Sequence, residues 1–276
     1  MSTEALGERD RSFTTRPLPR ILSDCHVQRL VKVACTDLGE TEVLRRSASR
    51  AIVRVSLPEV GPVIIKAWAL RGVRMALRRI TLTSPPLREA RALQRLHRAG
   101  VRVPRYLGSC RIRLNSVPYT HALILEDIGE CKDAVEHLKG LVLEREEADV
   151  WAFEEALIEQ THRILGAGYV DLDHGLINTV VPVSGEPVRL DLECAKRVSF
   201  PIVASRTCGT MLGRLICSHA FAVQPEVERT QDFACRLVQR LRLRTAVLRR
   251  AAECVRSMLA EQLAKTGIDT RVRLPW

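Results

Sequence analysis

The chain has 276 residues, of which 46% are hydrophobic, so it can bury one large core or two modest ones. Its net charge of +11 favours anionic surfaces, either lipid head groups or nucleic acid. Nine cysteines without a C-x-x-C pair argue against a zinc site or a disulfide framework and predict reduced thiols in a cytoplasmic compartment. Because no run approaches the ~20 apolar residues of a spanning helix, we expect a soluble or peripheral protein.

The N-terminal third begins with a polar, proline-interrupted stretch over residues 1–25, which predicts a flexible arm before a single domain over 26–276. Residues 51–56 and 63–68 then predict a β-hairpin, and the second strand carries Lys66 within an apolar run. Two interpretations of Lys66 stay open. It has an anionic partner, or it points to water from an edge strand.

A helix is predicted next, opening at Pro85 after the possible caps Thr83-Ser84 and ending at Gly100. Its Glu89 is a candidate partner for Lys66. The alternative is a surface glutamate favoured by the helix dipole.

An apolar strand over residues 122–125 runs into Glu126 and is followed by a long helix. The predicted buried face of that helix carries Trp151, Leu157, Ile158, His162 and Leu165.

Three oxygen-bearing side chains follow at an informative spacing. The stretch 168–178 carries Asp173 and, five residues later, Asn178, while Asp191 ends a short apolar strand. The residues between predict two short strands joined by a tight turn, which would return Asp191 beside Asn178. Phosphoryl transfer requires hard oxygen ligands around a metal, so this layout indicates a phosphotransferase. The alternative is that D-x-x-x-x-N arises by chance and that these side chains shape a surface loop.

The C-terminal third is predicted to be helical and strongly basic. An apolar stripe extends from Val238 to Leu263, and arginines crowd the other faces. Such a helix can lie on an anionic membrane surface. The alternative is an ordinary helix of the domain with a solvated arginine face.

Taken in chain order, these parts resemble the protein-kinase-like superfamily, and within it they are most similar to the lipopolysaccharide kinase family, which phosphorylates Kdo or heptose sugars of the lipid A-core. The resemblance spans roughly residues 40–217. It implies an α+β, bilobal protein-kinase-like fold, with a small β-rich N-lobe over about 26–126 and a mainly helical C-lobe over about 130–276.

The resemblance also implies roles for individual residues. Asp173 would be the catalytic base, and Asn178 and Asp191 would bind Mg. The expected nucleotide-binding residues are Lys66, which Glu89 holds against the phosphates, Glu126 and Ile128 in the hinge that reads adenine, and Arg46 and Ser49 in the phosphate loop. The expected cofactors are ATP and Mg. The expected acceptor is an anionic sugar or glycolipid at the inner face of a membrane, and nucleic acid is not an expected partner.

Three departures from the superfamily pattern keep other functions open. Asp171 replaces the usual histidine two positions before the catalytic Asp, the usual Asp-Phe-Gly reads Asp191-Leu192-Glu193, and no glycine lies between Gly39 and Gly61. A catalytically inactive kinase-like binding module would show the same losses. A small-molecule phosphotransferase of the aminoglycoside or choline kinase type is a further alternative.

Overall fold

The computed structural model describes residues 41–47, 50–57, 61–69, 84–114, 117–198, 206–267, 272, 274 and 276. The arm predicted over residues 1–25 lies outside these ranges. Two compact units are present, the first within Met1–Ala90 and Arg105–Asp127 and the second within Arg91–Pro104 and Ile128–Trp276.

The first unit is built on an antiparallel sheet of five strands in the order β1-β2-β3-β5-β4. The strands are β1 (Thr41–Arg46), β2 (Arg50–Leu57), β3 (Gly61–Ala69), β4 (Tyr106–Leu114) and β5 (Val117–Glu126). The predicted hairpin is confirmed as β2 and β3, whose register pairs Val55 with Val63. Gly61 begins β3 with a φ of 85°, a conformation that glycine adopts without strain.

Strand β3 lies between β2 and β5, and both of its faces are buried. Ile65 is 0% exposed on one face, and Lys66 is 6% exposed on the other. A strand covered on both faces reads as a continuous apolar run, which explains why the sequence here does not alternate.

Helix α1 (Pro85–Arg98) contains the division between the two units, which falls after Ala90. Ser84 precedes the helix, but its hydroxyl is buried without a hydrogen-bond partner, so the predicted Ser84 cap is wrong. Its backbone carbonyl instead accepts from the Arg88 amide at 3.0 Å. Proline at the first position suits the helix start because its missing N–H would be unpaired there anyway.

The second unit is mainly helical, which together with the sheet of the first unit gives the predicted α+β class. Its helices are α2 (Ala134–Glu144), α3 (Glu147–Gly166), α4 (Arg206–Ala222), α5 (Val227–Leu241) and α6 (Thr245–Thr266). Short strands β6 (Cys131–Asp133), β8 (Thr179–Pro182) and β9 (Val188–Arg189) form one small sheet, and β7 (Tyr169–Asp171) pairs with β10 (Ala195–Arg197).

The predicted buried face of α3 is partly wrong. Leu157 and Ile158 are buried as expected, whereas His162 is exposed and Trp151 is 55% exposed. The Trp151 ring lies 3.7 Å from the Arg236 guanidinium, a cation–π contact at the surface. Tryptophan has both an apolar ring and a face that attracts cations, so its presence alone does not place it in the core.

Helices α4 and α6 approach closely because α4 carries glycines at two positions four residues apart. A Cβ added to Gly209 would meet the Val247 carbonyl at 2.7 Å, and one added to Gly213 would meet the Ala251 carbonyl at 2.8 Å. Both contacts are backbone atoms, which cannot move aside cheaply.

We expect Gly213→Ala to lower the free energy of unfolding by roughly 1–3 kcal/mol, because overpacking must push α6 away. Gly140→Ala in α2 is the matched control, since no atom lies within 4 Å of its added Cβ. The control is expected to raise stability by roughly 0.5–1 kcal/mol through helix propensity. Urea unfolding of both variants is the measurement, and equal effects would contradict the close approach.

Candidate active site

In the first unit, Lys66 on β3 and Glu89 on α1 form a buried ion pair. The Lys66 Nζ donates to both carboxylate oxygens of Glu89 at 3.0 Å, and the two side chains are 7% and 2% exposed. Strand β3 is internal to the sheet, so the interpretation of Lys66 as an edge-strand residue facing water is wrong. Glu89 is likewise not a surface glutamate.

The ammonium of Lys66 also lies 5.1 Å from the centroid of the Trp68 ring, at cation–π distance. Trp68 follows Lys66 by two residues on the same strand face, where the alternation of a strand places both side chains together. The charge of Lys66 is thus held in one position by a carboxylate and an aromatic ring.

The predicted phosphate loop is the connection from β1 to β2. Arg46 ends β1 opposite Ala51, but its side chain and the whole of Ser49 lie outside the described residues. The described part of the turn is closed by Ser47, whose amide donates to the Arg50 carbonyl at 2.7 Å and whose hydroxyl accepts from the Arg50 amide at 3.0 Å.

The predicted adenine contacts lie at and after the end of β5. The Glu126 amide donates to the Arg105 carbonyl at 2.9 Å, and the Glu126 carboxylate accepts from the Arg105 amide at 3.2 Å. The amide of Glu126 is therefore already paired, and any contact of this residue with a base would use its carbonyl. Ile128 belongs to the second unit and is partly buried.

In the second unit, Asp173 and Asn178 belong to one hydrogen-bonded loop, which we call the Asp173 loop (residues 172–178). It follows β7, and Asn178 ends a single turn of 3₁₀ helix over Leu176–Asn178. The Asn178 side-chain amide donates to the Asp173 carbonyl at 3.1 Å. The five-residue spacing therefore closes the loop on itself, and the catalytic and metal-binding roles of Asp173 and Asn178 stay predictions.

The predicted hairpin between Asn178 and Asp191 is present as β8 and β9, which pair antiparallel. The Leu190 amide donates to the Asn178 carbonyl at 2.8 Å, so the chain leading to Asp191 returns to the Asp173 loop. A Gly185 amide that donates to the Pro182 carbonyl at 2.8 Å closes the turn.

Asp191 has a left-handed backbone, with φ 50° and ψ 67°. A residue other than glycine pays a cost of about 1–3 kcal/mol in a sparsely populated conformation, and such residues cluster at functional sites. The absent glycine of the Asp-Phe-Gly pattern thus does not prevent a sharp turn, because Asp191 itself turns the chain into the 3₁₀ helix Leu192–Cys194.

The donor set of Asn178 and Asp191 fits a Mg ion. Magnesium prefers carboxylate and carbonyl oxygens, and these two side chains supply one of each. Since the Asn178 nitrogen is directed at the Asp173 carbonyl, its Oδ1 is the atom left to coordinate a cation.

Sequence reasoning missed two neighbours of Asp173. The Arg214 Nη1 on α4 donates to the Asp173 Oδ1 at 2.5 Å, and both side chains are about two-fifths exposed, at 43% and 42%. Cys194, three residues after Asp191, lies near enough for the Asp173 carboxylate to raise the pKa of its thiol. Arg214 is separated from Asp173 by 41 residues, so no local pattern could have paired them.

Burial, first of all, and the nearby carboxylates of Asp173, Asp171 and Asp191 together raise the pKa of the Cys194 thiol to about 11. The thiol is therefore protonated at neutral pH and is a poor nucleophile.

We expect Asp173→Asn to accelerate alkylation of Cys194 by iodoacetamide, because losing the carboxylate lowers the thiol pKa and increases the thiolate fraction. Cys217, whose pKa burial raises to about 12, is the internal control and should react at an unchanged rate. Mass spectrometry of the modified peptides measures both rates. An unchanged rate at Cys194 would mean that the carboxylate does not govern its ionisation.

Comparison with known proteins gives one partial sequence match. The sequence model of the "Lipopolysaccharide kinase (Kdo/WaaP) family" matches residues 73–167. That stretch contains Glu89, Glu126 and Ile128, whereas Lys66 and the Asp173 loop lie outside it. A search of curated proteins found no significant match.

Solved structures show the fold. A structure described as "WaaP in complex with acyl carrier protein" has a TM-score of 0.54 and 19% identity, covering 87% of this chain and 90% of that one. The Toxoplasma gondii "specific rhoptry antigen kinase domain" has a TM-score of 0.50 and 10% identity, covering 81% of this chain and 82% of that one. Among the described helices, none combines the length and apolar character needed to cross a bilayer. The chain therefore has a protein-kinase-like fold, and over residues 73–167 its sequence is similar to the lipopolysaccharide kinase (Kdo/WaaP) family.

Proposed function

We propose that the protein is an ATP- and Mg-dependent phosphotransferase that phosphorylates a sugar hydroxyl of the lipopolysaccharide core or of a related glycolipid. The observation that carries the proposal is the Asp173 loop, in which the Asn178 amide binds the Asp173 carbonyl while the β8–β9 hairpin returns the chain to Asp191. A base and two oxygen ligands are thereby supplied by one compact segment.

Within this function, Asp173 orients the acceptor hydroxyl and accepts its proton. Its carboxylate is partly exposed, which an acceptor requires. Asn178 and Asp191 would hold Mg, which when bound neutralises charge on the phosphates. The left-handed backbone of Asp191 supports the assignment because, unlike Arg145 and Arg242, which adopt it at the ends of helices, Asp191 adopts it in a loop, and such residues cluster at functional sites.

Lys66 would contact the phosphates of ATP, with Glu89 orienting its ammonium. The two equal distances of 3.0 Å to the Glu89 oxygens hold the lysine in a defined position. Glu126 and Ile128 would offer backbone groups to adenine, and Arg46 and Ser49 would cover the phosphates. Hydrogen bonds between Ser47 and Arg50 close the described ends of this connection without a glycine at either position.

The charge next to Asp173 supports an anionic acceptor. Arg214 binds the Asp173 carboxylate through one nitrogen and is 43% exposed, so its guanidinium can be reached from solvent. Arginine binds carboxylates and phosphates through a planar fork of donors. An acceptor that carries such a group beside its hydroxyl would compete for Arg214 and release Asp173 to act as a base.

The basic helices support association with the inner face of an anionic membrane. Arg242, Arg244, Arg249 and Arg256 are exposed, and among the described residues none of them lies in an ion pair. The apolar residues Val247, Ala251 and Val255 of α6 are buried within the protein. The proposed contact with lipid is therefore electrostatic and would weaken with salt.

The test is the thermal shift of the purified protein with and without Mg-ATP, beside Lys66→Ala and Asp191→Asn. A ligand at ~100 times its dissociation constant stabilises a protein by roughly 2.7 kcal/mol. We expect a metal-dependent shift that both variants lose. No shift at millimolar nucleotide would refute the proposal and favour a kinase-like binding module. With binding established, labelled ATP and separated acceptor fractions would distinguish a glycolipid kinase from a small-molecule phosphotransferase.

A further inference from the structure

We propose that the buried ion pair of Asp171 and Arg189 is a positioning device that holds the Asp173 loop against the strand leading to Asp191. The inference rests on the proposed function and adds two residues to it. Neither residue is expected to touch substrate. Both would act through Asp173 and Asp191.

The pair is completely enclosed, because both side chains are 0% exposed. The Arg189 guanidinium binds the Asp171 Oδ2 through two nitrogens, Nη2 at 2.5 Å and Nε at 3.1 Å. Both charge-assisted hydrogen bonds converge on one carboxylate oxygen, which leaves the Asp171 Oδ1 free to accept from another group.

The remaining donors of Arg189 are directed at the Asp173 loop. Its Nη2 also donates to the backbone carbonyl of Asp173 at 2.5 Å, and its Nη1 donates to the carbonyl of Gly175 at 2.7 Å. The second oxygen of Asp171 accepts from the Asp173 amide at 3.1 Å. The ion pair thus binds Asp173 on both sides of its α-carbon, through the amide and the carbonyl.

The position of Arg189 in the sequence connects this contact to the metal ligands. Arg189 lies in β9, two residues before Asp191, and its amide donates to the Arg102 carbonyl at 2.9 Å. The next amide, of Leu190, binds the Asn178 carbonyl at 2.8 Å. The Arg189 side chain therefore fixes the position of Asp173 relative to strand β9, which leads to Asp191.

Stability alone does not account for such a pair. Removing two charges from water is costly, and apolar residues of similar volume often replace a buried ion pair without loss of stability. What apolar residues cannot supply is a set of donors for loop carbonyls. Phosphoryl transfer depends on the positions of the reacting groups. A displacement of the Asp173 loop by about 1 Å would therefore remove much of the phosphotransfer activity.

The test uses the double variant Asp171→Leu/Arg189→Met, which replaces the pair by apolar side chains, and Arg189→Lys, which keeps the charge but lacks the fork. Amide hydrogen exchange on the protein without ligands is measured first. We expect exchange in residues 172–178 to become at least about tenfold faster while α4 and α6 are unchanged. Affinity for Mn-ATP, measured by the electron paramagnetic resonance of Mn, is expected to fall about 10- to 100-fold.

The outcomes separate the two proposals. Unchanged exchange in the loop, or faster exchange with unchanged Mn-ATP affinity, would overturn the positioning role. If the double variant does not fold, Arg189→Lys supports the same comparison. Wild-type protein that does not bind Mn-ATP would refute the proposed function, and the exchange measurement would then decide by itself whether the pair holds the loop.

Discussion

Replacing Asp173 by Asn is expected to lower phosphotransfer from ATP by about 10²- to 10⁴-fold, the usual contribution of a general base. Asparagine has nearly the same shape but cannot accept the proton of the acceptor hydroxyl. The fold should persist, because the ion pair that is lost, with Arg214, is about two-fifths exposed and such pairs contribute about 0–1 kcal/mol.

The measurement is transfer of labelled phosphate to a glycolipid fraction, with Mg-ATP binding followed in parallel by thermal shift. Asp173→Asn should retain nucleotide binding and lose transfer, whereas Asp191→Asn should lose both. Asp232→Asn, an exposed aspartate on α5, is the matched control and should transfer phosphate at the wild-type rate. Full turnover by Asp173→Asn would contradict the assigned base.

Glu89→Leu is expected to lower the free energy of unfolding by about 3–5 kcal/mol, because it leaves the buried ammonium of Lys66 without its carboxylate. The expected loss is large since the two side chains are only 7% and 2% exposed. Lys66→Met/Glu89→Leu removes both charges and should recover most of the lost stability while still failing to bind Mg-ATP.

Urea unfolding of the single and double variants measures the effect. The exposed pair of Lys265 and Glu261, at 66% and 65% exposure, provides the control. Glu261→Ala should change stability little, because solvent screens that pair. If Glu89→Leu costs no more than Glu261→Ala, or if the double variant is no more stable than the single one, the pair is not a desolvated ion pair.

Much of this molecule could be predicted from local patterns. The β2–β3 hairpin, helix α1 and the strands β8 and β9 each arise from spacing within a few residues, and the sequence carries that spacing directly. The Asp173 loop belongs to the same class, because its closing hydrogen bond joins residues only five positions apart.

Two sequence predictions that the structure contradicts also have physical explanations. Trp151 was expected in the core, but a partner 85 positions later, Arg236, holds it at the surface. Ser84 has the right type for a helix cap, yet its hydroxyl is buried without a partner. The residue type limits the contacts that a side chain can make, and the surrounding packing determines which of these contacts form.

By itself, the sequence predicted the fold class, the order of the elements and the candidate residues Asp173, Asn178 and Asp191, because these depend on short-range spacing and on residue chemistry. The tertiary structure decided which charges lie near them. Arg214 reaches Asp173 across 41 positions, and Arg189 reaches Asp171 across 18. Contacts between distant segments depend on how helices and strands pack, so no local pattern of the chain could predict them.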